Sequence, residues 1–123
     1  MPPNLLFGAG GIGEGRISHT WTSSEQTSEL LDSLNELGLT ELDSAASYPP
    51  GAPWTTETLL GESKAAEKGF VIDTKILNRQ DSETKSLSEE GIKLSLEKSL
   101  ELLGVKKVGF FVGSFQSVKT YVN

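Results

Sequence analysis

The sequence predicts a parallel α/β fold, and three observations carry that prediction. Short apolar runs alternate along the chain with stretches whose leucines recur at helical spacing. The helical stretches stop at glycines, Gly38, Gly69 and Gly104. Two of them open on capping-box patterns, Thr22-x-x-Glu25 and Ser86-x-x-Glu89, in which a hydroxyl and a carboxylate satisfy each other's free backbone N–H groups. Strands that alternate with helices pair in parallel, because each helical crossover returns the chain to the same end of the sheet.

The elements follow in order. Asn4–Phe7 is a short apolar run that enters a glycine-rich turn, Gly8 to Gly15. The first helix opens at Thr22 and places Leu30, Leu31, Leu34 and Leu37 on one face. Thr40–Ala45 reads as the second strand, and Pro49, Pro50, Gly51 and Pro53 mark the loop after it. A shorter helix covers Glu57 to Lys68, and Phe70–Ile76 is the third strand. A polar loop, Asn78–Lys85, leads to a helix with Ile92, Leu96, Leu100 and Leu103 aligned. Val105–Gly113 reads as a fourth strand, and Ser114–Asn123 has no clear period. With no internal repeat and no linker, 123 residues make one domain.

Composition narrows the function. Apolar residues make up 36% of the chain before its 13 glycines are counted, an ordinary balance for a soluble globular protein. No apolar run approaches the roughly 18 residues of a membrane span, and the N-terminus lacks the features of a signal peptide. The chain has no cysteine, which excludes disulfides and thiol catalysis. An intracellular, cytoplasmic location is the expectation, with no metal site. The net charge is −6 and uneven: residues 1–62 hold nine acids and one base, residues 63–123 eight acids and ten bases. So acidic a first half argues against nucleic-acid binding, which needs a basic stripe. Any phosphate-bearing ligand must find its lysines in the second half.

Gly8-Ala9-Gly10-Gly11-Ile12-Gly13 matches G-x-G-x-x-G, the dinucleotide-binding fingerprint. That fingerprint needs a helix opening within it, so that a pyrophosphate sits on the helix N-terminus. Here Glu14–Trp21 has no helical period, and Asp43 lies 30 residues past Gly13 instead of about 20. The turn is therefore expected to be a flexible loop that lets backbone approach a ligand. An open flavodoxin-like sheet with this loop as its anion site is a weaker alternative, since no helix directly follows the loop.

The constellation with chemical content is Asp43, Tyr48 and Lys75. Ligands of parallel sheets sit at the C-terminal ends of the strands. Asp43 and Lys75 close successive strands, and Tyr48 follows in the next loop. A cation within about 4–6 Å of a phenol favours its ionised form, and a carboxylate paired to that cation fixes it in place. Such a trio can protonate an alkoxide developing during carbonyl reduction. Singly, the three have ordinary readings as a cap, a loop anchor and a solvated strand end; their joint placement raises the catalytic one.

These residues resemble the aldo-keto reductases, in particular the aflatoxin-aldehyde-reductase-like branch. Asp43-Ser44-Ala45-Ala46-Ser47-Tyr48 is similar to the family's D-[TS]-A-x-x-Y, Glu57-Thr58-Leu59-Leu60-Gly61 to its E-x-x-L-G, and Asp73-Thr74-Lys75 to its strand-three lysine. Residues Ser88–Val108 resemble the helix before strand four, and the likeness runs from about Leu6 to Val108. The resemblance implies a (β/α)8 barrel that uses NADPH to reduce small aldehydes and ketones to alcohols. It implies Tyr48 as general acid, Lys75 as the group that acidifies it, and Asp43 as the residue that holds Lys75. It also implies that Gly8, Ala9 and Gly10 lie near the nicotinamide, with Asp43 bordering the cofactor site, and that Ala9 stands where the family carries a polar residue. The family's substrate-orienting histidine falls at Ser114, and His19 reads as a surface residue.

An eight-unit barrel takes about 250 residues. The expectation is an incomplete (β/α)8 barrel: three β/α units and a fourth strand over residues 1–108, then a divergent tail over 109–123 of shifted or unspliced origin. Open strand edges and an apolar inner face would leave it marginally stable or self-associating. Its activity would be weak or absent, and the rival reading is a non-catalytic α/β fragment or interaction module.

Overall fold

The computed structural model of the protein describes residues 3–17, 19–77 and 87–112. Four strands lie side by side in chain order: β1 (Phe7–Gly8), β2 (Glu41–Asp43), β3 (Val71–Lys75) and β4 (Phe111–Val112). Every neighbouring pair is parallel, with Gly8 opposite Asp43, Asp43 opposite Asp73, and Lys75 opposite Val112. Helices α1 (Ser24–Glu36), α2 (Thr55–Glu62) and α3 (Glu89–Leu103) connect them. The predicted alternation holds, but each strand is shorter than its apolar run. Val105 and Val108, read as strand, pack against the hydrophobic core instead, and pairing with β3 starts only where Gly109 donates to Ile72 O. The loop 78–85, the predicted cap Ser86, the histidine-equivalent Ser114 and the tail from residue 113 lie outside the described residues.

Side chains alternate across a strand, and this decides what each face of the sheet carries. Leu42 of β2 and Ile72 of β3 meet Leu31 and Leu34 of α1, Leu59 and Leu60 of α2, and Leu103 of α3 in one core. Each such burial stabilises by about 1.5–3 kcal/mol. The opposite face takes Glu41, Asp43, Val71, Asp73 and Lys75. The expected apolar face is thus a charged one; Val71 is its aliphatic member from β2 and β3, and is 51% exposed. The Asp73 carboxylate, as an acceptor for the protonated form, raises the pKa of Glu41, and desolvation and the like charge of Asp73 add to the effect. Asp73 also accepts from Phe110 N at 2.8 Å, which fixes the entry to β4.

The helix caps are displaced from the predicted positions. The N-cap of α1 is Ser23 rather than Thr22: its Oγ accepts from Gln26 N at 3.2 Å, while Gln26 Oε1 accepts from Thr22 N at 2.9 Å. Ser23 thus supplies the capping hydroxyl one residue along, and Gln26 takes the Thr22 N–H that Glu25 was expected to take. Ser88 caps α3, accepting from Gly91 N. All three helices end in the same paired motif, with Leu39 N on Leu34 O, Ala65 N on Leu60 O, and Val105 N on Leu100 O. Gly38 and Gly104 supply the left-handed residue for α1 and α3, but Lys64 (φ 57°) supplies it for α2. That is why α2 stops at Glu62, well short of the predicted Lys68; the chain turns through residues 63–69 before β3.

Two predicted faces also shift. Leu37, placed on the apolar stripe of α1, is its C-cap and is 75% exposed. On α3 the innermost line is Ser95, Ser99 and Leu103, with Ile92, Leu96 and Leu100 only half-buried beside it. Ser95 Oγ accepts from Leu77 N at 3.0 Å, and Ser99 lies beside Glu57 of α2. A Cβ on Gly61 would stand 1.9 Å from Leu102 O, so α2 meets the end of α3 backbone to backbone.

Candidate active site

Asp43 and Lys75 reach the site because they end β2 and β3 on the helix-free face. Past Asp43 the chain stays laced to β3, with Ser44 N on Asp73 O at 2.8 Å and Ala46 N on Lys75 O at 3.0 Å. Ala45 and Ala46 are fully buried, and Tyr48 N closes a turn on Ala45 O. Small residues at these positions let the loop fold tightly over the strand end and present Tyr48 next to Lys75. The Tyr48–Pro49 bond is cis.

The Lys75 ammonium donates to Asp43 Oδ1 at 2.6 Å and to Ser44 O at 2.8 Å. It stands 5.1 Å from the centroid of the Tyr48 ring, within cation–π range. Lys75 and Asp43 keep 29% and 36% of their side-chain surface exposed, so the pair borders solvent. The structure therefore brings Asp43, Tyr48 and Lys75 together: a carboxylate and a carbonyl hold a cation against a half-buried phenol.

The glycine-rich turn does not open a helix. Ala9–Gly11 form one 3-10 turn, Ile12 bridges to Trp21, and α1 begins only at Ser24. The turn opens no α-helix of its own, so the match to the dinucleotide fingerprint lacks the helix that the fingerprint needs within it. The expected flexible loop is instead packed: Gly13 N donates to Trp21 O at 2.7 Å, and Ile12 is fully buried. Of the three predicted cofactor-side residues, Ala9 points into the core, Gly8 has open space where a side chain would be, and Gly10 lies against the Tyr48 ring. A Cβ on Gly10 would stand 3.6 Å from Tyr48 Cε2. His19 lies at the surface beside Glu14 Oε1, 3.9 Å away.

Sequence reasoning passed over a second polar group, behind β3. Glu57 is fully buried, and its Oε1 accepts from the Thr74 hydroxyl, also fully buried. Burial pushes the Glu57 carboxyl up in pKa, against the opposing pull of Thr74, Ser99 and the Lys98 charge. Lys98 itself sits 4.3 Å over the Trp54 ring. The signal lay in plain view: a glutamate at the start of an otherwise apolar helical face, Glu57-x-Leu59-Leu60.

Residues 4–115 match the family model described as the aldo/keto reductase family. Comparison with curated protein sequences gives no significant match. Among solved structures, the chain is similar to the aldo-keto reductase of Bacillus halodurans in its holo form, with TM-score 0.67 and 24% identity over 89% of this chain and 35% of that one. A thermostable aldo-keto reductase, Tm1743, bound to the inhibitor epalrestat gives TM-score 0.67 and 26% identity over 89% and 37%. A Pseudomonas aeruginosa protein described as an aldo-keto reductase gives TM-score 0.69 and 21% identity over 89% and 42%. The chain thus spans about two-fifths of these structures at most. With its family model matched from Asn4 onward and its strands in the same arrangement, this chain belongs to the aldo/keto reductase family.

Proposed function

We propose that this chain carries the acid–base site of an NADPH-dependent reductase that converts small aldehydes and ketones to alcohols. The four strands are the first four of a (β/α)8 barrel in this reading, and the helix-free face is its interior. The observation that carries the proposal is the Lys75 ammonium, held by Asp43 and Ser44 O over the Tyr48 ring.

Each residue then has a part. Tyr48 donates its hydroxyl proton to the substrate oxygen as that oxygen gains negative charge. Lys75 stabilises the phenolate left behind. Asp43 and Ser44 O occupy two of the three ammonium N–H groups, so the cation is oriented before the reaction and needs no reorganisation during it. A flat ring suits the nicotinamide side of the site: Gly8 leaves open space, and Gly10 meets the Tyr48 ring with no side chain of its own. Gly8, Gly10 and the Asp43 edge would border the nicotinamide there, with Ala9 supporting the turn from the core. A bound reduced nicotinamide supplies the reducing equivalents.

A second reading is a non-catalytic α/β fragment, and the observation that favours it is the span of only 35–42% of the similar structures. One experiment separates the two. NADPH is titrated against the protein by fluorescence, an aromatic aldehyde is added, and absorbance loss is followed. Saturable binding with turnover abolished by Tyr48→Phe supports the reductase; no binding at millimolar NADPH supports the fragment. The outer edges of β1 and β4 make self-association part of the proposal. A compact monomer in sedimentation, with cooperative melting, counts against that part.

A further inference from the structure

We propose that the adjacent residues Thr56 and Glu57 form a clamp behind the sheet that sets how Tyr48 meets Lys75, so that both are positioning residues for the reaction. The inference rests on the reductase reading of the site.

Both residues lie in the first turn of α2 and both are fully buried. Thr56 holds the two loops. Its N–H donates to Tyr48 O at 3.2 Å, and its Oγ1 donates to Ile12 O at 2.6 Å. Ile12 follows the glycine-rich turn whose Gly10 rests on the Tyr48 ring. One side chain and its own amide therefore tie the tyrosine loop to the turn beneath it.

Glu57 holds the strand. Its carboxylate takes the hydroxyl of Thr74, the residue immediately before Lys75. Thr74 faces the helices and Lys75 the opposite side, so fixing Thr74 fixes the rotation of the strand and the direction in which Lys75 leaves it. Two consecutive residues thus grip Tyr48 through its carbonyl and Lys75 through its neighbour, and α2 is the rigid body between the grips.

Packing alone does not explain a carboxyl group here. A buried charge is expensive to desolvate, and a leucine of similar volume would fill the space between Leu59, Leu60 and β3 without that penalty. What a leucine cannot do is accept from Thr74. The hydroxyl of Ser99 and Glu57 Oε2 have no hydrogen-bond partner of good geometry among the described residues, although Ser99 is near enough to favour the ionised carboxylate. The Thr74 contact is therefore the bond that defines the orientation of Glu57.

The test uses the full chain and three variants. Thr74→Val keeps shape and strand propensity but removes the hydroxyl. Glu57→Leu keeps volume and removes the acceptor. Glu57→Gln keeps an acceptor oxygen. The first readout is the ring-current shift of the Lys75 ε-methylene protons by NMR, taken as the difference from Tyr48→Leu. The second is kcat against KM for aldehyde reduction. Thr74→Val and Glu57→Leu should both reduce the ring-current shift. They should lower kcat on the order of ten- to a hundredfold, as displacements near 1 Å do, with KM little changed. Glu57→Gln should stay close to wild type in both. If Glu57→Leu fails to fold, Thr74→Val decides alone. A wild-type ring-current shift in Thr74→Val would overturn the clamp. If instead the shift falls as expected but Lys75→Met leaves turnover intact, the clamp stands and the reductase reading fails.

Discussion

Replacing Gly61 by alanine tests the packing on which the clamp depends. A methyl group built there would lie 1.9 Å from Leu102 O and 3.0 Å from Leu102 C. Non-bonded heavy atoms rest at about 3.5 Å or more, so α2 and α3 would have to part by roughly 1.5 Å. The obstacle is helix backbone rather than a rotatable side chain, and it cannot step aside alone. Overpacking of this kind costs about 1–3 kcal/mol. A backbone clash this deep lies at the upper end of that range, and alanine recovers about 1 kcal/mol of helix propensity, which leaves a net loss of about 2 kcal/mol. In a chain of this size each kcal/mol lowers Tm by roughly 4 °C. Urea unfolding followed by far-UV circular dichroism should show a lower midpoint with an unchanged slope. A Gly61→Ala protein as stable as wild type would refute the reasoning, because propensity alone would then outweigh the contact.

Lys75→Met should abolish aldehyde reduction while costing no more than about 1 kcal/mol of stability, since the Lys75–Asp43 pair borders solvent; turnover and urea midpoints measured together check this. Glu57 gives a pH signature. Its pKa is raised in the folded state, so the folded protein holds this proton more tightly than the unfolded chain. The stability this contributes is complete below the ordinary value of 4.5 and is lost as pH rises through the elevated one. Glu57→Gln removes the effect, so its Tm relative to wild type should climb as pH increases from 4 toward 7; a constant difference would contradict the assignment. Gly10→Ala places a methyl in ordinary contact with the Tyr48 ring at 3.6 Å, in a backbone conformation open to any residue. Its urea midpoint should match wild type, while its NADPH affinity falls if the nicotinamide lies there.

Much of this fold was legible along the chain. Parallel order followed from strands alternating with helices, and the three catalytic candidates followed from D-S-A-A-S-Y and D-T-K at successive strand ends. Local rules reach that far because strand alternation, turn chemistry and helix stops act over a few residues. They faltered by small steps at the caps, where Thr22 and Ser23 offer equivalent hydroxyls and only the third residue's partner decides. They failed at α2, because a lysine took the left-handed position that sequence reasoning reserves for glycine.

What sequence alone determined, then, is which residue types stand at the strand ends and in what order. Three things waited for the tertiary structure. The first is the charged helix-free face, which depends on how β2 and β3 turn so that Leu42 and Ile72 go to the helices. The second is the backbone contact of α2 on α3 at Gly61, between elements some 40 residues apart. The third is the buried Glu57–Thr74 bond. Each is a relation between distant segments, and its free energy arises only when the chain has closed on itself and water has left the space between them.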